Sequence, residues 1–164
     1  FLVFAPIQNN RLNFVVQKAT ELGIVKFTPC LTEYTNNRTI NYRNLNLNII
    51  EAVEQSERLT LPILEKQITL KDFLLSHPKD RALIFCNENL KYKSTMIESI
   101  MKIKNKFNKW TLLIGPEGGF SKEEVVIIEK NPSCVSVSLG KKILRSDTAV
   151  TAALFCLQSI IESN

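Results

Sequence analysis

Two short stretches in the last third of the chain have residue types and spacing that suit chemistry. In Gly115-Pro116-Glu117-Gly118-Gly119, three glycines in five residues surround a carboxylate. Glycine permits positive φ and close approach of a ligand to bare backbone, while Pro116 fixes one φ. The second stretch, Gly140–Arg145, joins a glycine and two cations, Lys141 and Lys142, to the apolar turn Ile143-Leu144 and then to Arg145. Exposed amides near Gly118, Gly119 and Gly140 can bond the edge of a flat heterocycle, and Leu139, Ile143 and Leu144 can sandwich its faces. That chemistry suits an adenine-bearing cofactor better than a free phosphate. No Gly-Lys-Ser/Thr follows either stretch and no G-x-G-x-x-G occurs anywhere, so neither a phosphate loop nor the dinucleotide fingerprint is present.

Each stretch needs a strand to carry it and a helix to follow it. Thr111–Ile114 is apolar or β-branched without a turn residue, which predicts a buried parallel strand. Ser121 then serves as N-cap with Glu124 as its capping-box partner, and Phe120 and Val125 stand at the staple positions. Cys134–Leu139 alternates, with Val135, Val137 and Leu139 on one face and Ser136 and Ser138 on the other. Ser146 or Asp147 caps the last helix, whose stripe is Ala149, Val150, Ala153, Leu154, Leu157, Ile160 and Ile161. Ends of parallel strands share one edge of a sheet, so the two loops can converge on one ligand.

Upstream, Phe1–Ala5 reads as a strand. A helix capped by Asn9 or Asn10 follows, with Leu12, Val15, Val16, Ala19 and Leu22 at helical spacing and Gly23 at C′. Ile24–Thr28 is a strand ended by Pro29, and Glu33–Arg43 a long polar loop. Leu45–Arg58 is a second helix with Ile49, Ile50 and Val53 inward. Ile63–Ile68 is a weak strand, and Thr69 with Asp72 caps a short helix to Ser76. His77–Asp80 is a turn with His77 at the surface, and Ala82–Cys86 is a strand before the polar Asn87-Glu88-Asn89. Ser94–Lys104 and Val125–Ile128 are helical, the latter ending before Pro132. Alternation from end to end predicts an α/β fold, a mostly parallel sheet with helices on both faces.

The chain has 164 residues, which suits a single domain, and its 45% hydrophobic content is that of a globular protein. A net charge of +5 fits an anionic partner such as nucleic acid, but equally a protein with lysines on solvated faces. The second reading is preferred for Lys91, Lys93, Lys102, Lys104, Lys106 and Lys109, which gather around the Ser94–Lys104 helix. Cys30, Cys86, Cys134 and Cys156 form no C-x-x-C pair and His77 is the only histidine, which argues against a metal site and for free buried thiols in a reducing, cytoplasmic setting. No apolar run approaches membrane-spanning length. The chain lacks an initiator Met and opens in a strand-like run, as expected of a fragment of something longer.

Ile114-Gly115-Pro116-Glu117-Gly118-Gly119-Phe120-Ser121, followed by Leu139-Gly140-Lys141-Lys142-Ile143-Leu144-Arg145-Ser146-Asp147-Thr148-Ala149, resembles the RsmE family, the 16S ribosomal RNA uridine-N3 methyltransferases of the SPOUT class. Gln17–Gly23 and Glu51–Arg58 with Pro62 agree with it. The resemblance implies a SPOUT-type C-terminal trefoil knot, bent S-adenosylmethionine in that knot, a homodimer with the site near the subunit interface, and a preceding PUA-like RNA-binding domain absent from this chain. It implies no metal and no membrane, and 16S rRNA of the small ribosomal subunit as partner. Carried over residue by residue, it marks Ile114, Gly115, Pro116, Glu117, Gly118, Gly119, Leu139, Gly140, Ile143, Leu144, Arg145 and Thr148 as cofactor-binding.

Arg145 and Glu117 are then the catalytic candidates. Arg145 would stabilise charge on the uridine carbonyl oxygens, clamp the target phosphate, or tie the loop to a carboxylate. Glu117 would accept the N3 proton or hold its loop by bonding backbone amides. Lys141, Lys142, Gln55 and Arg58 are RNA-binding candidates, although Gln55 and Arg58 fit support of the knot equally well. Ser146-Asp147 stands where the family shows Thr-Glu, so any contact of that acid is shortened by one methylene. The alternative reading is a non-catalytic RNA-binding α/β module.

Overall fold

The computed structural model describes residues 1–88 and 94–162. Lys91, Lys93 and Asn89 lie outside the described residues. In chain order the elements are β1 (Leu2–Phe4), α1 (Asn9–Glu21), β2 (Lys26–Leu31), α2 (Tyr42–Gln55), β3 (Ile63–Leu64), β4 (Ile68–Thr69), α3 (Leu70–Ser76), β5 (Ala82–Cys86), α4 (Met96–Ile103), β6 (Trp110–Ile114), α5 (Lys122–Glu129), β7 (Cys134–Val137) and α6 (Ser146–Glu162). The strands form one sheet in the order β3-β2-β1-β6-β5-β7, with β4 also on β2, and every pairing among them is parallel.

Side chains alternate across a strand, and here the alternation assigns each strand to two cores. Leu2 and Phe4 of β1, Ile84 of β5, and Leu112 and Ile114 of β6 pack with α1, α2, α4 and α6. Val3, Leu83, Phe85 and Leu113 face the other way, onto Leu70 and Phe73 of α3 and Ile128 of α5. Both sheet faces are therefore covered, as expected of a parallel sheet.

Several local expectations change. Pro29 does not end its strand but lies within β2, opposite Phe4. On the other flank of β2, β3 stops at Leu64 and β4 starts at Ile68, so no ladder partner stands beside Pro29 to miss its N–H. Glu65 fills that gap, accepting from Thr28 Oγ1 at 2.6 Å and Lys26 Nζ at 2.9 Å. The expected Ile63–Ile68 strand is thus two short ones. Neither Asn9 nor Asn10 caps α1: its N-cap is Gln8, which makes no side-chain cap bond.

The second helix starts at Tyr42, capped by Asn41, and ends at Gln55 because Glu57 takes φ 53°. Ile49 is buried but Ile50 is exposed. Arg58 then turns back to donate to the carbonyls of Thr20 and Ile24. It closes the turn between α1 and β2 at the N-terminal edge of the sheet, away from the strand ends that carry the glycine loops. Among the described lysines around α4, Lys102 and Lys106 are exposed, and Lys109 pairs with Asp80 at 2.8 Å.

His77 is not a surface turn residue. It caps α3 half-buried, edge-on to Phe73 with ring centroids 5.5 Å apart, and neither ring nitrogen has a hydrogen-bond partner. Burial, with the Arg81 cation as second cause and against the pull of Asp80, pushes its pKa from 6.5 down to about 4. As pH falls through that window the unfolded chain binds a proton that the folded chain refuses, so His77 removes stability from the folded state below pH about 6.5. Thermal unfolding between pH 7 and pH 4 is therefore expected to show a shallower acid decline for His77→Phe than for the parent. Parallel declines would show that His77 does not titrate as its setting implies.

Candidate active site

Strands β6, β5 and β7 are neighbours and parallel, so their C-terminal ends form one edge. The loop after β6 closes as a turn, with Gly119 N donating to Pro116 O at 3.0 Å and Gly119 at φ +69°. The expected capping box is present: Glu124 N donates to Ser121 Oγ at 3.2 Å, and Ser121 N to Glu124 Oε2 at 3.0 Å. Glu124 Oε1 also accepts from Glu33 N at 2.8 Å, which fastens the loop after β2 beneath the glycines. Tyr34 from that loop sits under Gly118, where an added Cβ would come within 3.1 Å of its own Cβ. Gly115 lies against the Phe120 ring, at 2.6 Å from where a Cβ would be, and that ring packs edge-on against Phe85.

The second loop leaves β7 at Ser138, whose carbonyl accepts from Met96 N at 3.0 Å. Gly140 has φ +113°, a conformation side-chain-bearing residues rarely adopt. Ser146 follows the loop, but its hydroxyl does not cap α6. It donates to Gly115 O at 3.0 Å and so stitches the second loop to the first. Asp147 accepts only from the adjacent Thr148 N, at 2.8 Å, and Thr148 Oγ1, at 3.4 Å, so it is not an N-cap in the usual sense either.

Between the loops lies a cleft of about 390 Å³. Ile114, Gly115, Pro116 and Gly119 line it from the first loop, and Leu139, Gly140, Lys142, Ile143 and Leu144 from the second. The expected convergence on one cleft is thus observed. Four of the carried-over residues do not line it. Gly118 rests on Tyr34, and Thr148 is exposed on α6. Arg145 is exposed, forms no ion pair with a described residue, and accepts Ala149 N at its carbonyl at 2.8 Å. Glu117 does not bond loop amides; its Oε1 accepts from Arg11 Nη1 at 3.1 Å. Lys141 is exposed outside the lining, and Gln55 and Arg58 lie at the far edge of the sheet.

Sequence reasoning missed Arg11, Glu88 and Lys122. Arg11 lies 106 residues from its partner and gives no local signal. Glu88 and Lys122 line the cleft, and the polar run after a strand end was a usable pointer to Glu88. Cys86 also lines it, but burial pushes its thiol far up, so it is a neutral wall and not a nucleophile. Cys30 and Cys134 are likewise pushed up to about 12 by burial. Among the described residues no group of three His, Cys, Asp or Glu side chains is placed to hold a metal, and no helix is long and apolar enough to cross a membrane.

Residues 1–158 match the family of RNA methyltransferase domains. The ribosomal RNA small subunit methyltransferase E of Rickettsia conorii is 36% identical over 153 residues, covering 93% of this chain and 61% of that protein. Its counterpart in Synechocystis sp. is 35% identical over 157 residues, covering 91% and 49%. The crystal structure of ribosomal RNA small subunit methyltransferase E from Neisseria gonorrhoeae, bound to S-adenosyl methionine, superposes with a TM-score of 0.86 at 27% identity, over 96% of this chain and 64% of that one. The chain therefore spans between about half and two thirds of the length of these relatives. With nearly its whole length matched and its two glycine loops meeting at one cleft, the chain belongs to the RNA methyltransferase domain family, and the relatives it matches are ribosomal RNA small subunit methyltransferases E.

Proposed function

We propose that residues 1–164 form a SPOUT-like domain that transfers a methyl group from S-adenosylmethionine to N3 of a specific uridine in 16S rRNA of the small ribosomal subunit. The observation that carries this reading is the meeting of Gly115–Gly119 and Leu139–Leu144 around a single cleft. Its volume, about 390 Å³, lies within the usual range for small-molecule sites. The residues fit the cofactor: Gly115, Gly119 and Gly140 offer bare backbone, and Leu139, Ile143 and Leu144 offer apolar walls for adenine. Ile143 is 79% exposed, an apolar side chain left for a ligand to cover. S-adenosylmethionine, when bound, supplies a methyl group activated by a sulfonium.

The chain's own residues manage charge and position. Arg145 stands between Leu144 and Ser146, which both line the cleft, and its guanidinium stabilises negative charge spread over the uridine carbonyl oxygens as N3 loses its proton. Arg11 fixes one oxygen of Glu117 and leaves the other available to accept that proton. Lys142 and Lys122 add positive charge beside the RNA backbone. The Ser146–Gly115 bond and the seat of α6 against both α1 and α4 support a knotted C-terminal course. Exposed Phe155 on α6, with Ile97 and Met101 on α4, supports a homodimer. The reading carries with it a cytoplasmic role in ribosome biogenesis.

Calorimetry with S-adenosylmethionine and mass spectrometry of 16S rRNA incubated with cofactor and protein test this reading. Saturable binding and one new methyluridine are expected. Absence of heat at saturating cofactor would remove the reading and leave the RNA-binding module in its place, and binding without methylation would overturn the assignment of 16S rRNA as substrate.

A further inference from the structure

Glu88 is the one carboxylate among the described residues that line the cleft. It follows β5, the strand between β6 and β7, and so stands between the two glycine loops. Its place is built into the loop: a methyl group on Gly119 would overlap Glu88 Oε1, so the bare Cα of Gly119 makes the room that the carboxylate uses. Glu88 forms no ion pair with a described residue, although Lys122 and Lys142 line the same cleft. An ionised carboxylate accepts hydrogen bonds and donates none, so it calls for a ligand that brings donors. Vicinal ribose hydroxyls bring two, and an acid near the end of a parallel strand is a general solution for holding them.

We propose that Glu88 holds the ribose of the nucleoside cofactor, its carboxylate oxygens accepting from the 2′- and 3′-hydroxyls. The proposal rests on the cofactor reading above and adds to it the residue that selects the sugar. A carboxylate here could instead meet the sulfonium or the ammonium of the methionine end. The probe that separates these is 5′-methylthioadenosine, which keeps adenine and ribose but has neither cation.

Calorimetry on the whole chain would compare 5′-methylthioadenosine with its 2′-deoxy and 3′-deoxy forms, using the parent, Glu88→Ala and the isosteric Glu88→Gln. The parent is expected to bind each deoxy form about tenfold more weakly, the scale of one hydrogen bond to a charged group. Glu88→Ala is expected to bind 5′-methylthioadenosine at least about tenfold more weakly and to treat the deoxy forms alike. Glu88 is exposed, so both variants should melt with the parent. Parent-like binding of 5′-methylthioadenosine by Glu88→Ala would overturn the proposal. So would a weakened variant that still discriminates deoxy forms as the parent does, which marks general damage. A loss seen with S-adenosylmethionine but not with 5′-methylthioadenosine would assign Glu88 to the methionine end and overturn it too. A parent that binds neither molecule would overturn the cofactor reading itself.

Discussion

Arg145→Ala is expected to lower kcat for methyl transfer by roughly a hundred- to a thousandfold, the scale on which removal of one charge-stabilising group acts. Cofactor affinity and thermal stability should stay near those of the parent. The side chain is exposed and makes no ion pair with a described residue. What the fold takes from residue 145 is its carbonyl, which accepts from Ala149 N whatever the side chain. These facts speak against a guanidinium that merely ties the loop to a carboxylate. Arg145→Lys separates the remaining roles. A point charge would restore much of the rate if charge alone is needed, and little if a planar two-point contact is made. Single-turnover methylation with radiolabelled cofactor reads both variants, and parent-like turnover by Arg145→Ala would remove the residue from the chemistry.

Gly119→Ala should damage binding and stability together. At φ +69° a side chain adds backbone strain of about 1–3 kcal/mol. The new Cβ also lands on Glu88 Oε1, which must leave its place in the cleft. Cofactor affinity is expected to fall by more than about tenfold, since a charge-assisted contact is displaced as well. Gly140→Ala is the matched comparison: its φ is +113°, yet no atom lies within 4 Å of an added Cβ. It should lose stability on a similar scale and keep more of its affinity. Melting curves and calorimetry on the two variants check this, and equal affinities would mean that the Glu88 contact plays no part.

The features legible in the sequence were those written in neighbouring residues. Ser121 and Glu124 lie three apart and both bonds of their box form, because a capping box is a local event. Ala82–Cys86 was bounded correctly, since an apolar run between polar turns has few alternatives. The meeting of the glycine loops followed from one topological rule about parallel strands. What escaped was decided across the chain. Pro29 is tolerated in a strand only because β3 and β4 leave a gap beside it. Arg58 matched a family block, yet its partners are carbonyls 34 and 38 residues away. Glu117 reads as a proton acceptor or a clamp on its own loop, yet its partner is Arg11, 106 residues away, and Ser146 reads as one of two possible caps, yet its hydroxyl goes to Gly115.

That last bond bears on how the protein is made. The first loop is complete only when residue 146 has come back to it, and α6 is the final described element to be synthesised. Closing such distant contacts is slow compared with forming a single helix or turn. A nascent chain still lacking α6 has the strands but not the closed cleft, so on the proposed function it cannot take up the methyl donor. On the proposed function, competence to handle the cofactor therefore waits for α6, and a product cut short before that helix is expected to be silent rather than partly active.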